Sequence, residues 1–173
     1  GSEATPAVGL RKIGGLLGAH FLGTFNDNAW KQLVILLALA AAATESQGQS
    51  YVAVAQIVLI LPQLLVSLPA GTLADRMGKQ SLIVRMKALE LALMVLGIFA
   101  LMVSPAGGLP VLLVLGLLGV QAAMYSPAKY GILPEILPHG QLSRGNALLE
   151  ATTTLAIIGG TVAAGPLFAA TRG

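Results

Sequence analysis

The stretch GTLADRMGKQ, residues Gly71–Gln80, decides the fold of this chain. It is a short charged turn between two long apolar runs, in a protein in which 10% of the residues are charged. A soluble domain carries about 25% charged residues, and a chain this apolar cannot cover its surface with polar groups. The turn therefore predicts a point at which the polypeptide leaves a membrane and enters it again.

The composition of the whole chain predicts an integral membrane protein. Of its 173 residues, 55% are hydrophobic, and the absence of cysteine excludes disulfides and cysteine-ligated metals. Residues Gly1 and Ser2 resemble the remnant of a tag. The first apolar run contains Asp27 and Lys31 and lacks the layout of a cleaved signal peptide. We therefore expect residues 1–10 to form a cytoplasmic tail that is retained.

Five apolar segments predict an all-α membrane bundle. Each is close to the roughly 20 residues that a helix needs to cross about 30 Å of hydrocarbon, and each is too long for a strand of a membrane barrel. The predicted spans lie near residues 13–43, 51–74, 81–103, 110–133 and 142–170.

Basic residues set the predicted orientation. Arg11 and Lys12 precede the first span, and Arg76 and Lys79 lie in the second connection. The first and third connections contain no lysine or arginine. We therefore expect a multi-pass protein with a cytoplasmic amino terminus, whose first and third connections face outward.

The charged turn carries residues suited to a tight helical hairpin. Gly71 permits a close approach of two helices, and Gly78 can adopt a positive φ. Asp75 is predicted to lie within reach of Arg85 near the start of the third span. Since a surface ion pair contributes little stability, a hairpin that only fixes the topology is the alternative interpretation.

This turn resembles the loop that joins helices two and three in the major facilitator superfamily. The matching residues are Gly71, Asp75, Arg76, Gly78 and Lys79. The resemblance implies that residues 11–173 form part of an amino-terminal bundle, with about five helices present of an expected twelve. It also implies a cytoplasmic latch that closes against the second half of the transporter, with Asp75 and Arg85 stabilising the outward-facing state.

Three further segments resemble the bacterial lysophospholipid transporters. They are Phe21–Asn28 (FLGTFNDN), Ser126–Glu135 (SPAKYGILPE) and Asn146–Glu150 (NALLE). The resemblance covers nearly the whole chain. It implies a protein that moves lysophospholipids across the bacterial inner membrane toward the cytoplasm for re-acylation, in a family sometimes fused to an acyltransferase.

Polar residues inside the first predicted span form the core of the candidate binding site. Ionisable groups at membrane depth are costly and by default functional. One helix face, bordered by Asn28, carries His20, Thr24, Asp27 and Lys31 at spacings of three and four. Asp27 and Lys31 can neutralise each other as an i,i+4 pair, so an ion pair that only makes a buried charge tolerable is the alternative.

Lys129 and Glu150 complete the candidate site. Lys129, near the inner end of the fourth span, suits a phosphate or extends to the interface. Glu150, in the fifth span, suits an amine or pairs with a cation. Lys31 and Lys129 are thus the candidates for binding a substrate phosphate, Asp27 and Glu150 for binding an amine, and the apolar faces of spans two and four for the acyl chain.

Other polar and small residues are assigned to structure. Glu90 in the third span is expected to pair with Lys87 or Arg85. Glycines such as Gly119 and Gly160 are expected to permit close helix packing.

The sequence leaves three functions open. The first is lysophospholipid transport by alternating access, with lysophospholipid, membrane lipid and a missing carboxy-terminal half as partners. The second is proton-coupled transport of a small polar solute or drug, and the third is a membrane anchor for a fused or partner acyltransferase. We find no nucleophile–base set, metal-ligand cluster or nucleotide loop, so we expect no enzyme activity, cofactor, metal or nucleic-acid partner.

Overall fold

A computed structural model describes the backbone of residues 6–171 and the side chains from residue 13 onward. Within this range the chain has five long helices and no strand, which confirms the predicted all-α membrane bundle. The long helices are α1 (Pro6–Ala41), α2 (Glu45–Arg76), α3 (Lys79–Val103), α4 (Leu109–Gly131) and α6 (Leu142–Ala170). A short helix, α5 (Leu133–Ile136), and a 3-10 turn at His139–Gln141 connect α4 to α6.

Four of the five long helices are long and apolar enough, within the described residues, to cross a membrane. They are Glu45–Arg76, Lys79–Val103, Leu109–Ile136 and His139–Ala170. Helix α1 has the length, at 36 residues, but polar residues in its middle lower its hydropathy. Helix α1 packs along α6, which is long and apolar enough to cross a membrane. We therefore place α1 at the same membrane depth as α6.

The predicted amino-terminal tail is partly helical. Helix α1 begins at Pro6, inside the range expected to be a tail. Proline is well tolerated in the first turn of a helix, where its missing N–H has no partner to lose. Gly1 and Ser2, interpreted as a tag remnant, lie outside the described residues.

Local sequence explains several helix ends. Helix α2 begins after Thr44, whose hydroxyl accepts a 3.3 Å hydrogen bond from the Gln47 N–H and so caps the helix. Between α3 and α4, Gly107 and Gly108 take φ values of 92° and 106°, which only glycine adopts without strain.

The outer surface of the bundle is apolar and the interior contacts are close. Large side chains such as Leu68, at 83% exposure, face outward, as lipid requires of a helical bundle. Helix α1 packs mainly on α6, and α4 packs on α2 and α3. A Cβ on Gly160 would overlap the carbonyl oxygen of Phe25, and a Cβ on Gly119 would overlap that of Leu59. These glycines permit the close packing that the sequence predicted.

The two glycines of the charged turn do not have the geometry that the sequence suggested. Gly78 has a φ of −60° and a ψ of 121°, which other residues also adopt. A Cβ on Gly71 would meet no heavy atom within 4 Å in the described chain. The expectation of a positive φ at Gly78 was therefore wrong, and no close helix approach is found at Gly71 within the described chain. Two residues, Met77 and Gly78, suffice to join α2 to α3.

Candidate functional site

Two adjacent polar cavities lie near the midpoints of the helices. The central cavity, of about 150 Å³, is lined from α1, α2, α3, α4 and α6. The side cavity, also of about 150 Å³, is lined from α1, α2 and α4. Asp27, Gln63 and Ala122 line both cavities and separate them. In secondary transporters generally, the substrate site lies near the middle of the membrane-spanning helices.

Five of the six predicted binding residues line these cavities. Thr24, Asp27 and Lys129 line the central cavity. Asp27, Asn28 and Lys31 line the side cavity. Residues from the first and fourth predicted spans are thus brought together, although about a hundred positions separate them in sequence.

Glu150, the sixth predicted residue, lies outside both cavities. It is exposed on α6, where its Oε1 accepts a 2.6 Å hydrogen bond from the hydroxyl of Tyr130. The Tyr130 ring in turn carries the Lys129 ammonium 4.3 Å from its centroid, a distance suited to a cation–π contact. Glu150 therefore reaches the cavity through two intervening side chains.

His20 joins α1 to α6 across the central cavity. Its Nε2 lies 2.7 Å from Thr153 Oγ1, and its Nδ1 lies 3.3 Å from Thr24 Oγ1. The Thr153 hydroxyl donates to the Leu149 carbonyl at 2.8 Å, so His20 Nε2 donates to Thr153 and Nδ1 accepts from Thr24. The predicted polar face of α1 is therefore partly engaged with α6.

Asp27 and Lys31 do not form the ion pair that their spacing permits. Lys31 Nζ donates to Asn28 Oδ1 at 3.1 Å. Asp27 Oδ1 is buried and has no hydrogen-bond partner among the described residues. Since buried polar atoms are nearly always partnered, this carboxylate is suited to receive a donor from a ligand.

Helix α3 contributes an ion pair that the sequence assigned to structure. Lys87 Nζ lies 2.7 Å from Glu90 Oε2, which confirms the expected pairing. Both residues also line the central cavity, which was not predicted. A carboxylate at the middle of a membrane helix was the available signal, because such groups are by default functional.

Helix α4 contributes Gln121 and Tyr125 to the same cavity. Gln121 Nε2 donates to the Met86 carbonyl at 3.1 Å and to Glu90 Oε2 at 3.3 Å. The Tyr125 ring stacks on His20 with centroids 6.1 Å apart. No sequence pattern pointed to these two residues.

The two cavities together carry an excess of positive charge. Their lining includes the lysines Lys31, Lys87 and Lys129 and the carboxylates Asp27 and Glu90. Three cations and two anions suit a ligand that carries a negative group, alone or together with a positive one.

The charged turn lies at a helix end, away from the cavities. Lys79 Nζ lies 2.6 Å from Glu135 Oε1 and so joins the turn to α5. Asp75, Arg76 and Arg85 are exposed. Within the described residues Asp75 and Arg85 form no ion pair; the ion pairs found there are Lys79–Glu135 and Lys87–Glu90.

The chain is similar in sequence to bacterial proteins that are named as transporters. The chain is 35% identical over 155 residues to the lysophospholipid transporter of Photorhabdus laumondii, an alignment that covers 90% of this chain and 36% of that protein. It is 35% identical over 166 residues to the lysophospholipid transporter of Pectobacterium carotovorum, covering 95% and 37% of the two chains. This chain is related to the bacterial lysophospholipid transporters. The predicted resemblance to these transporters is confirmed in sequence.

The relationship is partial in length. A third relative, the lysophospholipid transporter of Salmonella heidelberg, is 36% identical over 149 residues, which cover 86% of this chain and 34% of that protein. The chain thus spans about a third of the length of these relatives. No family model matches the chain, and no solved structure matches it.

Proposed function

We propose that this chain forms part of a transporter that moves lysophospholipids across a bacterial inner membrane toward the cytoplasmic leaflet. The observation that carries the proposal is the pair of mid-depth cavities with three lysines and two carboxylates in an otherwise apolar bundle. The names of the relatives support the choice of substrate. The basic residues beside the even-numbered connections support a cytoplasmic amino terminus.

The headgroup binds at the cavities in this proposal. Lys129 in the central cavity and Lys31 in the side cavity are the candidates for binding the phosphate, because an ammonium on a flexible stem is a suitable point charge for a phosphate oxygen. Asp27 receives the amine of a headgroup that has one, since its Oδ1 is buried and unpartnered among the described residues. Glu150 supports Lys129 from outside through Tyr130 and does not touch the substrate.

The acyl chain lies against α2 and α4. A groove of about 540 Å³ runs between these helices and is lined almost wholly by apolar side chains. Its lining includes Val54, Leu61, Leu113 and Gly116. Leu61 and Leu113 are 50% and 58% exposed in the described chain, so an acyl chain placed there exchanges one apolar surface for another.

Transport proceeds by alternating access against a second half. The greater length of the relatives supports such a half. In this scheme the charged turn is the latch: Asp75, Arg76 and Arg85 are exposed, and neither Asp75 nor Arg85 is used in an ion pair within the described chain. The relatives' names mention no acyltransferase, so an acyltransferase partner or fusion stays a prediction.

The test is lysophospholipid movement by the intact protein in proteoliposomes, with a fluorescent substrate whose leaflet is read by chemical quenching. Asp27→Asn and Lys31→Ala should each slow the initial rate at least about tenfold, because each removes a charge-assisted hydrogen bond worth about 1.5–3 kcal/mol. Leu68→Ala, on the outer surface, is the matched control and should transport normally.

Two outcomes oppose the proposal. Wild-type rates in both folded and inserted variants would show that the headgroup does not bind at these residues. Substrate-dependent proton uptake without lipid movement would favour a proton-coupled transporter of a small polar solute.

A further inference from the structure

The Lys87–Glu90 ion pair of α3 lies against Gly23 of α1, in the lining of the central cavity. A Cβ on Gly23 would overlap Lys87 Nζ and would lie 2.7 Å and 2.9 Å from the two carboxylate oxygens of Glu90. The paired charges therefore occupy the space that a side chain at position 23 would fill. Gly23, Lys87 and Glu90 all line the cavity, so the pair faces the position assigned to the headgroup.

Among the described residues, Glu90 is held by more hydrogen bonds than Lys87. Glu90 Oε2 accepts from Lys87 and also from Gln121, whose amide is itself fixed on the Met86 carbonyl. Lys87 has Glu90 as its hydrogen-bond partner within the described chain and lies 4.6 Å from the Tyr125 ring centroid. An ammonium has three N–H donors, so Lys87 has donors left for a ligand. Glu90 is the fixed member, and Lys87 is the movable one.

We propose that Lys87 is a further phosphate-binding residue and that Glu90 is the counter-ion that holds it until a phosphate arrives. A lysine inside an apolar bundle needs an anionic partner, and Glu90 supplies one before substrate binds. A substrate phosphate then displaces the carboxylate from Lys87 and lies in the cavity that Lys129 also lines. Glu90 keeps its hydrogen bond from Gln121 and so is not left without a partner. This inference rests on the proposed function, because it assumes that the headgroup occupies the central cavity.

A counter-ion that competes with the substrate behaves differently from a structural ion pair. Removal of the competing carboxylate should tighten phosphate binding, while removal of the ammonium should weaken it. If the ion pair is only structural, removal of either charge weakens phosphate binding, and removal of both charges together restores it.

The experiment measures equilibrium binding of lysophosphatidylglycerol to the intact protein in nanodiscs. This ligand has a phosphate and no amine, so it isolates the role assigned to Lys87. Lys87→Gln should weaken binding about tenfold to a hundredfold, the loss of one charge-assisted hydrogen bond. Glu90→Gln, which can still contact Gln121, should tighten binding roughly fivefold, which is equivalent to about 1 kcal/mol.

Three controls separate phosphate recognition from general damage. A monoacylglycerol with the same acyl chain has no phosphate, and its binding should be unchanged in both variants. Arg144→Gln and Glu45→Gln change the net charge by the same amounts at exposed positions outside the cavities, and both should bind lysophosphatidylglycerol as the wild type does.

The double variant Lys87→Gln/Glu90→Gln decides the question even where a single variant fails to fold, because it leaves no unpaired buried charge. Weak binding like that expected for Lys87→Gln supports the inference, and binding restored to the wild-type level overturns it. An unchanged affinity in Lys87→Gln also overturns it. Failure of the wild type to bind lysophosphatidylglycerol would instead overturn the proposed function.

Discussion

Two ion pairs of nearly equal length lie in different surroundings in this molecule. Lys79–Glu135 spans 2.6 Å at the charged turn, with side chains 27% and 54% exposed. Lys87–Glu90 spans 2.7 Å at mid-depth, with side chains 22% and 11% exposed. Solvent screens the more exposed first pair and can replace either partner, whereas the second pair lies inside an apolar bundle, where a charge that loses its partner is costly. The same contact therefore has a small energetic consequence at the turn and a large one in the bundle.

The largest expected effect comes from breaking the mid-depth pair on one side. Glu90→Ala should lower the free energy of unfolding by about 3 kcal/mol, because it leaves Lys87 as an uncompensated charge in the bundle. Thermal unfolding of the purified protein in detergent measures this change. Glu135→Ala is the matched variant at the turn and should cost at most about 1 kcal/mol. Equal losses in the two variants would mean that burial does not distinguish the pairs.

Glycine substitutions extend the comparison from charges to packing. Gly160→Ala should cost about 1–3 kcal/mol, because its Cβ would overlap the Phe25 carbonyl oxygen and push α1 from α6. Gly71→Ala, beside the turn, meets open space and should leave stability unchanged or raise it by up to about 1 kcal/mol. The fraction of monodisperse protein that survives heating is the measurement. A stable Gly160→Ala protein would argue against the close α1–α6 contact.

A smaller effect is expected from the hydrogen bond between α1 and α6. Thr153→Val keeps the side-chain shape and removes the acceptor of His20 Nε2. It should lower the free energy of unfolding by about 1–3 kcal/mol. We expect a value toward the lower end, because the cavity offers room for a water molecule that can replace the acceptor. Thr154→Val is the neighbouring control, since Thr154 is exposed and, among the described residues, its hydroxyl bonds within its own helix. Chemical denaturation followed by tryptophan fluorescence compares the two. A larger loss in the Thr154 variant would contradict the assigned role of His20.

The smallest effect is expected at the exposed charges of the turn. Asp75→Ala and Arg85→Ala should combine additively, with a coupling energy near zero, because the two side chains form no ion pair within the described residues. A double-mutant cycle on unfolding free energies measures this coupling. A coupling above about 1 kcal/mol would show that the two residues pair in the stable form of the protein.

The sequence predicted the helices better than it predicted their contacts. Apolar run length identified all five long helices, because lipid imposes length and hydropathy on each span separately. The polar face of α1 followed from helical spacing alone. Helix α1 begins at Pro6, before the predicted span, because hydropathy predicts the apolar part of a helix and not the turns that precede it.

The rest of the site depends on tertiary packing. Spacing allowed an Asp27–Lys31 pair, but Lys31 bonds to Asn28, since a long side chain can choose among several neighbours. Gln121 and Tyr125 reach the cavity because α4 packs between α2 and α3, which no local pattern encodes. Glu150 was a candidate by its charge alone, yet α6 places it on an exposed surface outside the cavities.

The contact of Gly23 with Lys87 and Glu90 restricts which residues can occur together at positions 23, 87 and 90. Because the space beside Gly23 is filled by Lys87 and Glu90, a larger residue at position 23 fits only where the side chains at 87 and 90 move aside or are shorter. Natural variants of this chain should therefore change these three positions together, so a lineage that alters its headgroup recognition at α3 will carry the trace of that change on α1.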